Sequence, residues 1–292
     1  MSWTIDGKRV LITGGTAGIG KATAIELARR GADVVITARN DAKGRATAAE
    51  IVATTGARID VAHLDLSSLG SVRAFAKGFL AEEDRLDVLV NNAGIIANKG
   101  LTSAEGYELT FAVNHLGPFL LTSLLTDLLT SSAPARVISV SSGAHRSATG
   151  RRSVAIEDLP TAGTRSPARN YAASKLANIL FTVELDQRLS DAGVVARTLH
   201  PGVVATNFGR GDDGPWWMGL GMRVLRPLLT KPNDGAATTV HLATAPDAEL
   251  ARAIYWDDSE PGEAESEALD DDAAARLWAL SEKLTTAEER SM

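Results

Sequence analysis

The chain has 292 residues, no cysteine and a formal net charge of −6 at pH 7. The missing thiols exclude disulfides, thiolate metal sites and a cysteine nucleophile, and the acidic balance argues against nucleic acid, whose binders carry a basic face. No apolar run reaches the ~18 residues of a membrane span, and the first eight residues show no signal-peptide core, so a cytoplasmic protein without a membrane anchor is expected. The five histidines are scattered with no i, i+4 pair, so no bound metal is expected.

The segment Arg9 to Thr13 is a short β-branched run. Glycines 14, 15, 18 and 20 follow, and then an alanine-rich helix to Arg29 closed by Gly31. This reads strand, glycine turn, helix. Asp33 to Thr37 is a second strand, Asp41 to Thr55 a helix ending at Gly56, and Arg58 to His63 a third strand. Ser67 or Ser68 caps the next helix, which runs to about Leu80. Asp87 to Asn91 is a fourth strand. Thr102 to Leu129 reads as mostly helical, disturbed at Gly117-Pro118. Arg136 to Val140, Val194 to Leu199 and Ala253 to Tyr255 are further strands, with helices at Tyr171 to Leu189 and Asp234 to Thr244 between them. The acidic stretch Asp257 to Asp272 reads as solvated, with Asp272 capping a last helix that carries Leu277, Leu280 and Leu284.

Strands that are apolar throughout and alternate with helices mean a parallel sheet covered on both faces. The expectation is one α/β domain over residues 1–292, a doubly wound parallel sheet of about seven strands. Two stretches depart from the rhythm. Ser142 to Asn170 is a long, arginine-rich connection. Thr206 to Pro232 holds Trp216, Trp217, Met218, Leu220, Met222 and Leu225 and is read as a substrate lid (206–232); residues 257–292 form a C-terminal helical extension. The lid's aromatics suit an apolar substrate, or pack on the lid's own underside or a subunit contact.

The glycine turn opens the first βα unit, where a helix N-terminus offers free N–H groups and a positive dipole end to a pyrophosphate. At the end of the second strand an acidic residue would bond a ribose 2′-hydroxyl; this chain has Ala38-Arg39 instead. Arg39 can pair with a 2′-phosphate, which favours NADP(H) over NAD(H). Asp65 either accepts from the adenine amino group or caps its own turn. Tyr171 and Lys175 are four residues apart, on one face of a helix. An ammonium beside a phenol favours the phenolate and lowers its pKa, so the pair can exchange a proton with a carbonyl or alcohol oxygen. Alternatively both sit on a solvated face.

Together these residues resemble the classical short-chain dehydrogenase/reductase family, from about Arg9 to Tyr255. The family's Thr-Gly-x-x-x-Gly-x-Gly is similar to Thr13 to Gly20, its Asn-Asn-Ala-Gly to Asn91 to Gly94, its Tyr-x-x-x-Lys to Tyr171 and Lys175, and its Pro-Gly-x-x-x-Thr to Pro201, Gly202 and Thr206. Its catalytic asparagine and serine match Asn114 and Ser142. Val137 to His145, Ser174 to Phe181 and Arg276 to Lys283 resemble the retinol-dehydrogenase and protochlorophyllide-reductase branch, although that branch's membrane-bound members begin with an apolar anchor and this chain does not.

The resemblance implies a Rossmann fold and hydride transfer between NADP(H) and a carbonyl or alcohol. Tyr171 would be the general acid/base, Lys175 would tune it and hold the nicotinamide ribose, and Ser142 would bond the substrate oxygen. Asn114 would hold a water behind Lys175. The implied cofactor residues are Gly14, Thr16, Gly18, Ile19, Gly20, Arg39, Asp65, Leu66, Asn92, Ala93, Gly94, Tyr171, Lys175, Pro201, Gly202, Val204 and Thr206. His115 and His200 read as structural. The partner is a small-molecule carbonyl or alcohol, and a homodimer or homotetramer is implied. A non-catalytic NADP(H)-binding sensor or scaffold is the rival reading; it needs the glycine turn but not the four polar residues together. An epimerase or dehydratase of the related extended family is a second rival, separable because it consumes no net NADPH.

Overall fold

The computed structural model describes residues 3–202 and 232–286. Eight strands form one sheet in the order β3-β2-β1-β4-β5-β6-β7-β8. They are β1 (Arg9–Ile12), β2 (Asp33–Ala38), β3 (Ile59–His63), β4 (Val88–Asn91), β5 (Ala135–Val140), β6 (Val194–His200), β7 (Tyr255–Asp257) and β8 (Glu260–Pro261). All neighbours are parallel except β7 and β8. The eighth strand exceeds the seven expected. It follows a two-residue turn in which Asp258 and Ser259 both take positive φ (48° and 63°), the twist that a tight hairpin requires.

Alternate residues of each strand feed opposite faces. Leu11, Leu89 and Val137 pack with Val72 and Phe75 of α3 (Leu69–Glu82) and with Phe119 and Phe181 further along the chain. Val10, Ile12, Val88, Val90 and Ile138 pack instead with Leu27 of α1 (Gly18–Arg29), Ile51 of α2 (Asp41–Thr55) and Leu242. Both faces are dry, as strands without polar alternation demand. Burial of this kind is worth roughly 25 cal/mol per Å² of apolar surface.

The predicted helix from Thr102 to Leu129 is several pieces. Thr102 makes an isolated bridge with Glu108 instead. Helix begins at α4 (Leu109–Phe111), widens into a π turn at Ala112–Leu116, resumes as α5 (Gly117–Leu124) and steps into α6 (Thr126–Ser131). Pro118 sits in the first turn of α5, directly after the π turn, and the chain stays helical through Leu116 and Gly117. Gly117 has a packing reason: a Cβ there would lie 2.7 Å from the Leu66 carbonyl.

Helix α7 (Pro167–Leu189) starts one turn before Tyr171, capped by Ser166. It is followed by α8 (Pro232–Thr244), α9 (Asp247–Leu250) and α10 (Asp271–Thr286). The acidic stretch before α10 is not merely solvated: it includes β8 and a short 3-10 turn at Ser266–Leu269 whose Ala268 is fully buried. No described helix is long and apolar enough to cross a membrane. The sheet reverses its winding direction between β1 and β4, so their carboxyl ends form the switch point at which open α/β sheets take ligands.

Candidate active site

The turn after β1 is shaped by backbone. Gly14 and Gly18 have φ of +67° and +54°, in the left-handed region. A Cβ on Gly20 would stand 2.4 Å from Asn92 Nδ2 and 2.6 Å from the Gly14 carbonyl, so no other residue fits there without displacement. Asn92 Nδ2 donates to the carbonyls of Thr13 (2.7 Å) and Gly14 (3.4 Å). Thr13 Oγ1 accepts from the N–H groups of Asn92 (3.0 Å) and Ala93 (3.1 Å). The Asn91-to-Gly94 stretch after β4 therefore buttresses the glycine turn from behind. Helix α1 starts at Gly18, and Ala17 before it gives no side-chain cap. The N–H groups of its first turn are left as donors, with the positive end of the helix dipole behind them.

Arg39 lies exposed immediately after β2. The nearest following carboxylate, Asp41, is held by His63 Nδ1 at 2.9 Å. Asp65 accepts from both the N–H (2.9 Å) and the Oγ (2.7 Å) of Ser67 through Oδ1, so its capping role is realised. Leu66 is buried beside it. Pro201 and Gly202 (φ +74°) follow β6. Val204, Thr206 and the lid positions 206–231, its tryptophans included, lie outside the described residues.

The catalytic candidates meet at the carboxyl ends of β4 and β5. Ser142 leaves β5 in extended conformation and starts a 3-10 turn over Gly143–Ala148, its Oγ accepting from the Ala144 N–H at 3.2 Å. Its side chain is hydrogen-bonded to Tyr171, which projects from the first turns of α7. One turn on, Lys175 Nζ lies 5.6 Å from the centre of the Tyr171 ring and donates to the Val140 carbonyl at 2.8 Å. That carbonyl also accepts from Asn178 Nδ2 at 3.2 Å. Ser141 Oγ ties β5 to α7 by donating to the Lys175 carbonyl at 2.7 Å.

Asn114 stands in the π turn. Its Oδ1 accepts from the Ile95 N–H at 2.7 Å, and its Nδ2 donates to the Ile95 carbonyl at 3.0 Å and to Ser174 Oγ at 2.9 Å. The widened turn carries this amide against the loop after β4 rather than along the helix, a familiar use of π bulges at functional sites. A Cβ on Gly94 would lie 3.4 Å from both Lys175 Nζ and Asn114 Oδ1, so the loop after β4 runs alongside both polar groups. All four candidates are thus brought together beside the glycine turn.

Electrostatics inside the site differ from the expectation of a phenol acidified by its lysine. Burial pushes the Tyr171 phenol up to about 12, opposed by its bond to Ser142. Burial also pushes the Lys175 ammonium down to about 7. Spacing on a helix brings the pair together, but desolvation dominates both groups in the protein by itself.

Sequence reading missed the frame around them. Glu108 accepts from the Phe111 N–H (2.7 Å) and from Asn170 Nδ2 (2.8 Å), while Arg165 Nε donates to Asn170 Oδ1 (2.8 Å). This chain, buried at Glu108 and Asn170, ties the start of α7 to α4. Its only signal was Glu108 one residue before an apolar helix start. His115 is structural as expected. It is fully buried, held by Ser281 Oγ at 2.8 Å, and burial pushes it down to about 3, so it stays neutral.

The chain is also similar to known proteins. Residues 8–154 match the model of the short chain dehydrogenase family. The chain is 44% identical to retinol dehydrogenase 12 of Mus musculus, over 95% of this chain and 86% of that protein. Among solved structures, an uncharacterised protein from Mycobacterium paratuberculosis superposes with a TM-score of 0.72 at 35% identity, covering 98% of each chain. A metagenomic short-chain oxidoreductase in complex with NADP is similar at a TM-score of 0.63 and 26% identity, over 89% of this chain and 99% of that one.

Proposed function

We propose an activity from one premise: the chain belongs to the short-chain dehydrogenase family, in the branch of the retinol dehydrogenases. That membership makes it an oxidoreductase of carbonyls and alcohols. The finer reading is reversible, NADP(H)-dependent conversion of an apolar ketone or aldehyde to its alcohol, with Tyr171 as general acid/base. The retinol dehydrogenases among its relatives and the tryptophans of the 206–232 segment support an apolar substrate; the metagenomic neighbour's NADP and Arg39 after β2 support the phosphorylated cofactor.

The residues fit a dinucleotide. The uncapped start of α1 suits a pyrophosphate, and the positions of Gly14 and Gly20 leave no room for side chains that would hold it off. Bound NADP(H) supplies or takes the hydride. In reduction Tyr171 gives its proton to the substrate oxygen. A phenol at about 12 remains protonated at neutral pH, in the form a donor needs. Ser142 donates a hydrogen bond to the same oxygen as charge gathers there. Lys175 spends one N–H on the Val140 carbonyl and has others for the nicotinamide ribose hydroxyls. Asn114 holds the Ile95 backbone and so sets the loop that walls this side of the site.

One observation carries the reading: the Ser142–Tyr171 hydrogen bond with Lys175 over the same phenol ring, at the strand ends next to the glycine turn. The purified protein is to be titrated with NADPH and NADH. It is then offered a panel of apolar aldehydes, ketones and secondary alcohols, retinal and retinol included, scored by the change in nicotinamide absorbance. Turnover with preference for NADPH is expected. Tight NADPH binding with no turnover of any member in either direction would instead identify a sensor or scaffold.

A further inference from the structure

We infer that His145 is a positioning residue for Ser142, and that the segment between β8 and α10 holds it in that role; this rests on Ser142 acting as proposed above. His145 is fully buried in the 3-10 turn that Ser142 opens. Its Nδ1 lies 2.8 Å from the Ser142 carbonyl, which its own backbone N–H also reaches at 3.1 Å. On the opposite side of the ring, Nε2 accepts from the Glu265 N–H at 3.4 Å. A carbonyl only accepts and a peptide N–H only donates, so the two contacts require the neutral ring with its proton on Nδ1.

The space around the ring is filled. Tyr255 of β7 meets it edge-on with centroids 5.3 Å apart. The His200 ring lies under the same turn, with Nε2 3.4 Å from where a Gly143 Cβ would be. The imidazole is therefore a strut. It clamps the Ser142 carbonyl from inside while the serine's Oγ faces Tyr171. Its outer end rests on a peptide 120 residues further along the chain. Rotation of that carbonyl would turn the Ser142 side chain, and a displacement of ~1 Å at a group that bonds the reacting oxygen costs on the order of 100-fold in rate.

Asparagine and glutamine separate a strut from a core filler. The amide of His145→Asn reaches the Nδ1 position and can keep the bond to the Ser142 carbonyl; that of His145→Gln reaches the Nε2 position and cannot. Both, with His145→Leu and Ser142→Ala, are to be assayed for NADPH-dependent reduction of retinal, with NADPH affinity and melting temperature measured in parallel. The expected result is that His145→Asn stays within about threefold of the parent in kcat while His145→Gln and His145→Leu fall by about 10- to 100-fold, with NADPH affinity unchanged in all three. Equal turnover in the asparagine and glutamine variants overturns the inference, even if the leucine variant fails to fold. Full activity in Ser142→Ala overturns the serine's role and this inference with it. An inactive Ser142→Ala beside an active His145→Gln rejects the strut alone. Nitrogen NMR of histidine-labelled protein gives a readout that needs no substrate: His145, assigned by its loss in His145→Asn, should carry its proton on Nδ1, and an Nε2 proton would reject the geometry.

Discussion

The carboxyl ends of β1 and β4 present backbone, whereas the end of β5 and the first turns of α7 present ionisable side chains. In the first region the surfaces are glycine Cα atoms, uncapped N–H groups and a threonine and an asparagine that bond only main chain. Among the described residues nothing charged is buried there. In the second, a lysine that is 3% exposed and a half-buried phenol are desolvated at a cost to the fold. The two regions should therefore fail in opposite ways. Damage to the backbone cradle should lower stability and cofactor affinity together. Removal of the buried lysine should raise stability while ending chemistry, because functional groups of this kind are retained against the fold's own preference.

The largest effect is expected at Tyr171. Tyr171→Phe removes the proton donor and little else, since the ring remains. Turnover should fall by about 10³-fold, within the range for loss of a general acid, with NADPH affinity and melting temperature close to those of the parent. Steady-state assays beside cofactor titration check this. Turnover within a few-fold of the parent would remove the phenol from the mechanism.

Next comes Gly20→Ala, the test of the cradle. The new methyl must displace Asn92 Nδ2 or the Gly14 carbonyl, and so breaks the bonds that hold the turn. Overpacking of this kind costs about 1–3 kcal/mol. Loss of NADPH affinity by at least about tenfold should accompany a lower melting temperature. Retained affinity would mean that the turn can open without loss of its donors.

Lys175→Met should be stabilising. The Val140 carbonyl keeps Asn178 as a donor, so no acceptor is orphaned by the change. Burial lowers the lysine from its ordinary 10.5 to about 7. Between those pH values the unfolded chain binds a proton that the folded chain does not, so parent stability rises with pH through that window. The methionine variant's advantage, on the order of 1–3 kcal/mol, should be greatest at about pH 7 and below and fade toward pH 10.5. Denaturant midpoints at several pH values measure it. An advantage that grows with pH would contradict a desolvated lysine.

The same contrast explains what could be read in advance. The glycine turn, β1 to β6 and the Tyr171–Lys175 pair are local patterns, fixed by propensity and by helical spacing, and the structure has all of them. The strand Glu260–Pro261 gave no such signal, because its turn uses Asp258 and Ser259 where glycine or asparagine would announce it. The π turn was not legible either: Ala112 to Leu116 is ordinary helix-compatible sequence, and its widening answers to contacts with Ile95 made through folding. Spacing showed that Tyr171 and Lys175 are close but not that Lys175 is buried and the phenol half-buried, so the direction of the phenol's shift was reversed. Asn170, Glu108 and Arg165 connect across 62 and 5 residues of chain, distances over which no pattern speaks.

The smallest expected effect falls where the cradle meets an exposed charge after β2. Arg39 follows β2 at the position where a carboxylate would bond a ribose hydroxyl, and the carboxylate that does follow, Asp41, is turned to His63. A 2′-phosphate there meets a guanidinium and no unpaired acid. Because the group is solvated, its contribution is screened, and Arg39→Ala should weaken NADPH binding by only about tenfold while leaving NADH within about twofold. Raising the salt concentration should narrow the parent's preference for NADPH and leave the variant's unchanged, since only the former involves an exposed charge pair. Equal losses for the two cofactors would assign Arg39 to the fold of the β2 end rather than to the phosphate, and the preference for NADP(H) would then need another cationic group at the same strand ends.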